Sequence, residues 1–322
     1  MFSNIGVVGA GAMGTAIAQT ICDNTKNVLL YARREEIANT INETHVNNDY
    51  FPDIRLKDNI IAINDLNDLK IAEIIFLTLP SSTIREVTRN LKDIISDECI
   101  IVNTAKGLEK GSQKRMSEVI EEETGRPAAV LSGPNIAAEM VKRTFSSASI
   151  ACKNEQYLEK VKKALSTPKF KVSASEDVIG VEYCSVIKNV IAISQGICEG
   201  MKINDNARFS VFTKTYNETK DLIEKFGGNR NTVDDYCGFG DIITASTLNV
   251  SRNHTLGVLY GQKIVVDEKA SGILFEGKNT IVILKELCKK YNIGCATVDF
   301  TYDVIINRIN PKKAFEEFWD KL

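Results

Sequence analysis

The first chemical signal in the chain is the run Gly9-Ala10-Gly11-Ala12-Met13-Gly14, set between an apolar stretch and an amphipathic one. A G-x-G-x-x-G turn joining a strand to a helix suits a pyrophosphate. Gly9 permits the tight turn, Gly11 lets backbone approach phosphate oxygens, and Gly14 lets the helix lie close on the strand. The helix start adds unpaired N–H groups and the positive end of its dipole. The same letters also describe a glycine turn that holds nothing. The second apolar run ends in Tyr31-Ala32-Arg33-Arg34. An NAD-selective fold places an acidic residue near here to accept from the ribose hydroxyls. Two guanidiniums instead suit a 2′-phosphate. The expectation is therefore NADP(H), or use of both NADP(H) and NAD(H), unless the arginines are only solvated residues at a helix start.

Further along stand residues fit for proton transfer and anion binding. Lys106, in Thr104-Ala105-Lys106-Gly107, follows the apolar run 99–102, and Gly133-Pro134-Asn135 follows the run 128–131. Turns just past the carboxyl ends of strands lie near the ligand crevice of a parallel sheet. Plain surface turns would read the same. Lys188-Asn189 is embedded in the apolar run 181–197. A charge there is unfavourable unless it faces a cleft or a partner. A partly buried lysine can exchange a proton near neutral pH, whereas one whose stem packs and whose head reaches water does no chemistry. Asp241 follows Gly240, and Ser251-Arg252-Asn253 comes soon after. These are donors suited to phosphate oxygens, although a helix cap uses the same letters.

The elements that must position these groups fall into two textures. Apolar runs at 4–8, 28–31, 74–77, 99–102 and 128–131 alternate with amphipathic stretches at 14–23, 35–43 and 82–93. Alternation on this scale predicts a parallel sheet with helices on both faces. Residues 146–152 and 170–173 read as late strands of the same sheet, and 47–59, with Pro52, as a loop. From about residue 180, helical periodicity takes over at 181–201, 207–225, 241–248 and 278–291. The reading is a Rossmann-type doubly wound α/β domain over 1–179, followed by an all-α domain over 180–322.

Composition narrows the function classes. With 40 basic and 42 acidic residues, the net charge of -2 gives no bulk attraction to nucleic acid. Only two histidines, His45 and His254, are present. A histidine-based triad or a histidine-rich metal site would have to use one or both of them. The eight cysteines show no CxxC spacing, which fits reduced thiols of a cytosolic protein. No run approaches the ~18 apolar residues of a membrane span, and residues 1–8 lack a signal-peptide pattern. A cytoplasmic protein without a membrane span or a metal is expected.

Taken in order, the motifs resemble the NAD(P)-dependent glycerol-3-phosphate dehydrogenase family of bacterial type, over essentially the whole chain. The residues that carry the resemblance are the 9–16 turn, Ala32-Arg33-Arg34, Tyr50-Phe51-Pro52, Asn103-Thr104-Ala105-Lys106-Gly107 and Leu131-Ser132-Gly133-Pro134. In the second half they are Lys188-Asn189-Val190, Asp205-Asn206-Ala207-Arg208, Gly238-Phe239-Gly240-Asp241, Ser251-Arg252-Asn253 and Glu276-Gly277. The resemblance implies a reversible hydride transfer between NAD(P)H and dihydroxyacetone phosphate, giving glycerol 3-phosphate for glycerophospholipid synthesis. It implies Lys188 as the proton-transfer group and Lys106 as a group touching both substrate and cofactor. It also implies Gly133, Asn135, Asp241, Ser251, Arg252 and Asn253 as substrate contacts. Cofactor contacts would be Gly9, Gly11, Ala12, Met13, Gly14, Arg33, Arg34, Lys106, Ala137, Arg252, Leu274 and Glu276. A site in a cleft between the two domains and a homodimer are expected as well.

The chain departs from the family pattern in three places. Ala12-Met13 replaces the usual Ser-Trp, Asn135 replaces a hydroxyl residue, and Thr244-Ala245-Ser246 is a shifted form of the usual threonine-cysteine segment. Two other readings compete. A related two-domain dehydrogenase acting on a hydroxy acid or ketopantoate would share the glycine turn and a lysine. A non-catalytic dinucleotide sensor would share the turn but need neither Lys106 nor Lys188.

Overall fold

A computed structural model of the chain describes residues 1–247, 251–266 and 275–322. It divides into two compact units, Met1–Glu109 with Lys114–Val178, and Lys110–Gln113 with Ile179–Leu322.

The first unit is built on eight strands: β1 (Phe2–Val8), β2 (Thr25–Tyr31), β3 (Ile60–Ile63), β4 (Ile74–Leu77), β5 (Ile100–Asn103), β6 (Ala129–Ser132), β7 (Ser146–Ala151) and β8 (Phe170–Ser175). Their order in the sheet is β3-β2-β1-β4-β5-β6-β7-β8. The chain winds outward from β1 in one direction and from β4 in the other, so β1 and β4 flank the topological switch point. β4, β5 and β6 are buried along their whole length, which is why they read as unbroken apolar runs. Their side chains still divide by alternation. Ile74, Phe76, Ile100 and Val102 enter one core with α1 (Ala12–Ile21), α2 (Glu35–Thr44) and α6 (Glu155–Leu165). Ile75, Leu77 and Ile101 enter the opposite core with α3 (Ile84–Lys92) and α4 (Met116–Thr124).

The expected doubly wound sheet is present, with two differences. β3 is a short strand whose four residues give too little pattern to separate in sequence from the preceding loop. β7 runs antiparallel to β6, whereas every other neighbouring pair is parallel. Between them lies only the four-residue α5 (Ala137–Met140). Without a full crossover helix the chain cannot return to the other end of the sheet, so it re-enters in the opposite sense.

In the second unit the described regular elements are all helical: α7 (Val178–Gly200), α8 (Asp205–Lys225), α9 (Asp241–Thr247), α10 (Arg252–Gly261), α11 (Glu276–Lys290), α12 (Ala296–Ile305) and α13 (Pro311–Trp319). α7 is buried over nearly its whole length. It meets α10 through glycines spaced four apart on both helices. A Cβ on Gly196 or Gly200 would lie 2.1 or 2.2 Å from the His254 or Val258 carbonyl oxygen. One on Gly257 or Gly261 would lie 2.2 or 2.3 Å from the Ile193 or Ile197 oxygen. Only glycine lets two helix backbones approach this closely. The buried Glu218 on α8 accepts from the backbone N–H groups of Ala296 and Thr297 at 2.9 and 3.0 Å, capping α12 with a carboxylate.

Candidate active site

In the first unit the glycine turn sits at the switch point, and Gly9 and Gly14 each have a distinct steric reason. Gly9 adopts φ +112°, which strongly favours glycine. A Cβ on Gly14 would fall 1.8 Å from the Gly9 carbonyl oxygen, so helix and turn touch there. Gly11 is different: among the described residues a Cβ would meet nothing nearer than the Tyr50 hydroxyl at 3.9 Å. Open space above Gly11, at the N-cap of α1 with no side chain capping it, leaves first-turn N–H groups for an anion. These features fit a dinucleotide pyrophosphate. Ala12 and Met13 open α1 and are partly buried. Thr78, just past β4, holds the turn by donating from its hydroxyl to the Val8 and Gly9 carbonyls, each at 2.9 Å. Thr104, just past β5, does the same to Leu77 at 2.8 Å. Sequence reasoning missed Thr78; its place at the carboxyl end of an apolar run was the available signal.

At the end of β2, Arg33 is exposed and Arg34 is the N-cap residue of α2. Arg34 is not simply solvated, because its Nη2 donates to Asp49 Oδ2. Lys106 and Gly133, 27 residues apart, come together: Lys106 Nζ donates to the Gly133 carbonyl at 3.3 Å. Gly133 is required sterically, since a Cβ would stand 2.8 Å from Ala148 Cα on β7. Asn135 is fixed beside it, with its N–H on the Gly133 oxygen at 2.7 Å and its Nδ2 on the Ser147 oxygen at 3.0 Å. The Asn135 side-chain amide is thus partly engaged in holding its own loop. Ala137 begins α5 and is partly buried.

The second unit holds the other group of candidates. Lys188, on α7, is 9% exposed, and its Nζ lies 2.6 Å from Oδ1 of Asp241, itself 3% exposed. The structure brings together two charges 53 residues apart, and the carboxylate offsets the cost of burying the ammonium. Asp241 is aimed by what precedes it. Residues Tyr236–Gly240 form one π-helical turn that runs directly into α9. Gly238 allows that turn, because a Cβ would fall 2.1 Å from the Val233 oxygen.

Ser251 is the N-cap of α10, accepting from the His254 N–H at 3.3 Å, so its hydroxyl does serve as a helix cap. Arg252 is exposed, and it makes no salt bridge among the described residues. Asn253 Oδ1 accepts from the Gly277 N–H at 3.2 Å. That bond fixes the orientation of the amide and leaves its NH2 group as a donor. Gly277 is needed there, since a Cβ would lie 2.6 Å from Asn253 Oδ1. Glu276 opens α11 beside it. Leu274 lies outside the described residues. Among the described residues no group of three His, Cys, Asp or Glu side chains could hold a metal, and no helix is long and apolar enough to cross a membrane.

A doubly wound sheet with a glycine cradle at its switch point, joined to a helical unit holding a buried lysine–aspartate pair, defines a two-domain nucleotide-dependent dehydrogenase class. Comparison with known proteins narrows this further. Residues 4–158 match the model of the NAD-dependent glycerol-3-phosphate dehydrogenase N-terminus, and 177–316 match that of its C-terminus. The chain belongs to the NAD-dependent glycerol-3-phosphate dehydrogenase family. It is 33% identical to glycerol-3-phosphate dehydrogenase [NAD(P)+] of Clostridium botulinum, across 98% of this chain and 96% of the relative. It is 34% identical to the protein of that name from Methanothermobacter thermautotrophicus, across 98% and 97%. Among solved structures, glycerol-3-phosphate dehydrogenase from Coxiella burnetii superposes with a TM-score of 0.90 at 30% identity, covering 99% of both chains. A ketopantoate reductase from Ralstonia eutropha reaches a TM-score of only 0.58 at 12% identity, a likeness of fold alone.

Proposed function

We propose that this protein is a glycerol-3-phosphate dehydrogenase that interconverts dihydroxyacetone phosphate and sn-glycerol 3-phosphate with NADP(H) or NAD(H). The observation that carries the reading is the buried Lys188 ammonium, held 2.6 Å from Asp241 in a chain of this family. Residues 1–179 serve as the cofactor domain and 180–322 as the substrate domain. The cradle at Gly9, Gly11 and Gly14 takes the pyrophosphate of the cofactor. When bound, the reduced nicotinamide supplies the hydride that the carbonyl carbon receives.

The protein's own groups do the rest. Arg252 and the Asn253 amide, at the start of α10, grip the substrate phosphate, with the Ser251 hydroxyl beside them. Anchoring one end of a small molecule fixes where its carbonyl lies. Lys106, whose head already reaches the Gly133 carbonyl, is a second cation that contacts and orients the substrate. Negative charge grows on the carbonyl oxygen, and Lys188 stabilises it and then donates its proton. Asp241 holds the lysine nitrogen on target through that transfer. In the reverse direction the Lys188 amine accepts the hydroxyl proton. The protein acts in the cytoplasm as a homodimer, feeding glycerophospholipid synthesis.

The test is an absorbance assay of dihydroxyacetone phosphate reduction with NADH and with NADPH, run beside ketopantoate and short 2-oxo acids. Turnover restricted to the phosphorylated triose is expected. Turnover of an oxo acid instead, or cofactor binding with no turnover, would overturn the proposal.

A further inference from the structure

The loop after α2 is tied to the glycine turn. The Asn47 side chain, 1% exposed, donates from Nδ2 to the Ala10 carbonyl at 2.9 Å and to Thr15 Oγ1 at 2.8 Å. The N–H groups of Tyr50 and Phe51 return to the Asn47 backbone carbonyl oxygen at 3.2 and 2.8 Å, closing a tight turn that contains Asp49. From that turn Asp49 Oδ2 accepts from Arg34 Nη2, while the Tyr50 hydroxyl overhangs Gly11. Arg33, the neighbouring guanidinium, makes no salt bridge among the described residues. The place of Asp49 is therefore built, not an accident of a long exposed side chain.

We propose that Asp49 sets this chain's discrimination between NADP(H) and NAD(H). The inference rests on the dinucleotide reading of the Gly9–Gly14 turn. The carboxyl end of β2, where this fold places the adenosine ribose, has Ala32 in place of an acid. Asp49 supplies the missing carboxylate from a different segment. A 2′-hydroxyl can donate to it. A 2′-phosphate, carrying roughly -1.5 to -2 charges, is repelled by it and must also draw Arg34 away. The Arg34 and Asp49 side chains are 52% and 46% exposed, so their pair is weak and a phosphate can break it. Arg33 and Arg34 favour the phosphate, Asp49 opposes it, and the chain accepts both cofactors.

Binding without turnover separates these terms. Calorimetry with 2′-phospho-ADP-ribose and with ADP-ribose, which lack nicotinamide and share the pyrophosphate, gives an affinity ratio that isolates the 2′-phosphate. Asp49→Asn should shift the affinity ratio toward the phosphorylated ligand by about fivefold, the scale of one screened like-charge contact. Asp49→Ser, which also removes the carboxylate, should shift it the same way, and Asp49→Glu should leave it near wild type. An unchanged ratio in Asn and Ser variants that still bind ADP-ribose would overturn the role of Asp49 alone. Failure of the wild-type protein to bind either ligand would overturn the dinucleotide reading and this inference with it.

Discussion

Gly196→Ala sets two effects of opposite sign against each other. In an isolated helix interior the change stabilises by about 1 kcal/mol, because alanine has the better helix propensity. In this structure the new methyl would stand 2.1 Å from the His254 carbonyl oxygen and 3.0 Å from the Val258 nitrogen of α10. A carbon–oxygen contact settles at about 3.3 Å or more, so the helices must part by roughly 1 Å. The opposing atoms are backbone, and no rotamer change relieves them. Overpacking of this kind costs about 1–3 kcal/mol, and parting the helices also weakens the three companion glycine contacts by up to ~0.5–1 kcal/mol each. With mid-range values of about 2 kcal/mol for overpacking and about 1 kcal/mol for the companion contacts set against about 1 kcal/mol of propensity, the net expectation is destabilisation of about 2 kcal/mol, a fall in Tm of roughly 4–8 °C. Function should follow packing. α10 begins with Arg252 and Asn253, and α7 carries Lys188 about two turns before Gly196. KM for dihydroxyacetone phosphate should therefore rise as well. Thermal unfolding and initial rates check both, with Gly294→Ala as control, since a Cβ there meets nothing within 4 Å among the described residues. A Gly196→Ala protein as stable as wild type, or more so, would refute the argument, because it would mean that propensity outweighs a contact the backbones do not make.

Three other outcomes are expected. Lys188→Ala should lower kcat by about 10²-fold or more, the usual scale of lost acid–base help, and near-normal turnover would remove the lysine from the mechanism. Arg252→Ala should raise KM for dihydroxyacetone phosphate far more than for unphosphorylated dihydroxyacetone, and equal effects on both would count against phosphate anchoring. His254 gives a pH signature. Its burial holds the imidazole below the ordinary histidine value; Glu199 pulls the other way and Arg208 adds to the depression. Above about pH 6.5 neither the folded nor the unfolded chain protonates it, and its contribution to stability is complete. As pH falls through that value, the unfolded chain takes up a proton that the folded chain refuses. Stability should then decline by up to ~1.4 kcal/mol per pH unit. Denaturant titrations between about pH 7.5 and 5.5 should show this slope in wild type and lose it in His254→Gln.

Much of the fold and part of the site were legible in the sequence, because they depend on local pattern. Gly9, Gly11 and Gly14 announce a strand–turn–helix by spacing alone, and the structure gives Gly9 and Gly14 separate steric duties while leaving room over Gly11 among the described residues. The apolar runs of β4 and β5 announce strands buried on both faces, and a change from strand-like runs to helical periods near residue 180 marks the helical half. Relations between distant residues were not legible. Nothing near Lys188 in sequence names Asp241 as its partner, since a π-helical turn and a packed helix decide that meeting. Arg33 and Arg34 read as two free cations until the loop pinned by Asn47 brings Asp49 to one of them. The paired glycines of α7 and α10 were present as a four-residue spacing on each helix, but their meaning needs both helices at once. Local propensity and periodicity are properties of neighbours along the chain, so the sequence determined the elements and their order. Charge pairing, close backbone approach and orientation depend on distances through space, and only the tertiary structure decided those.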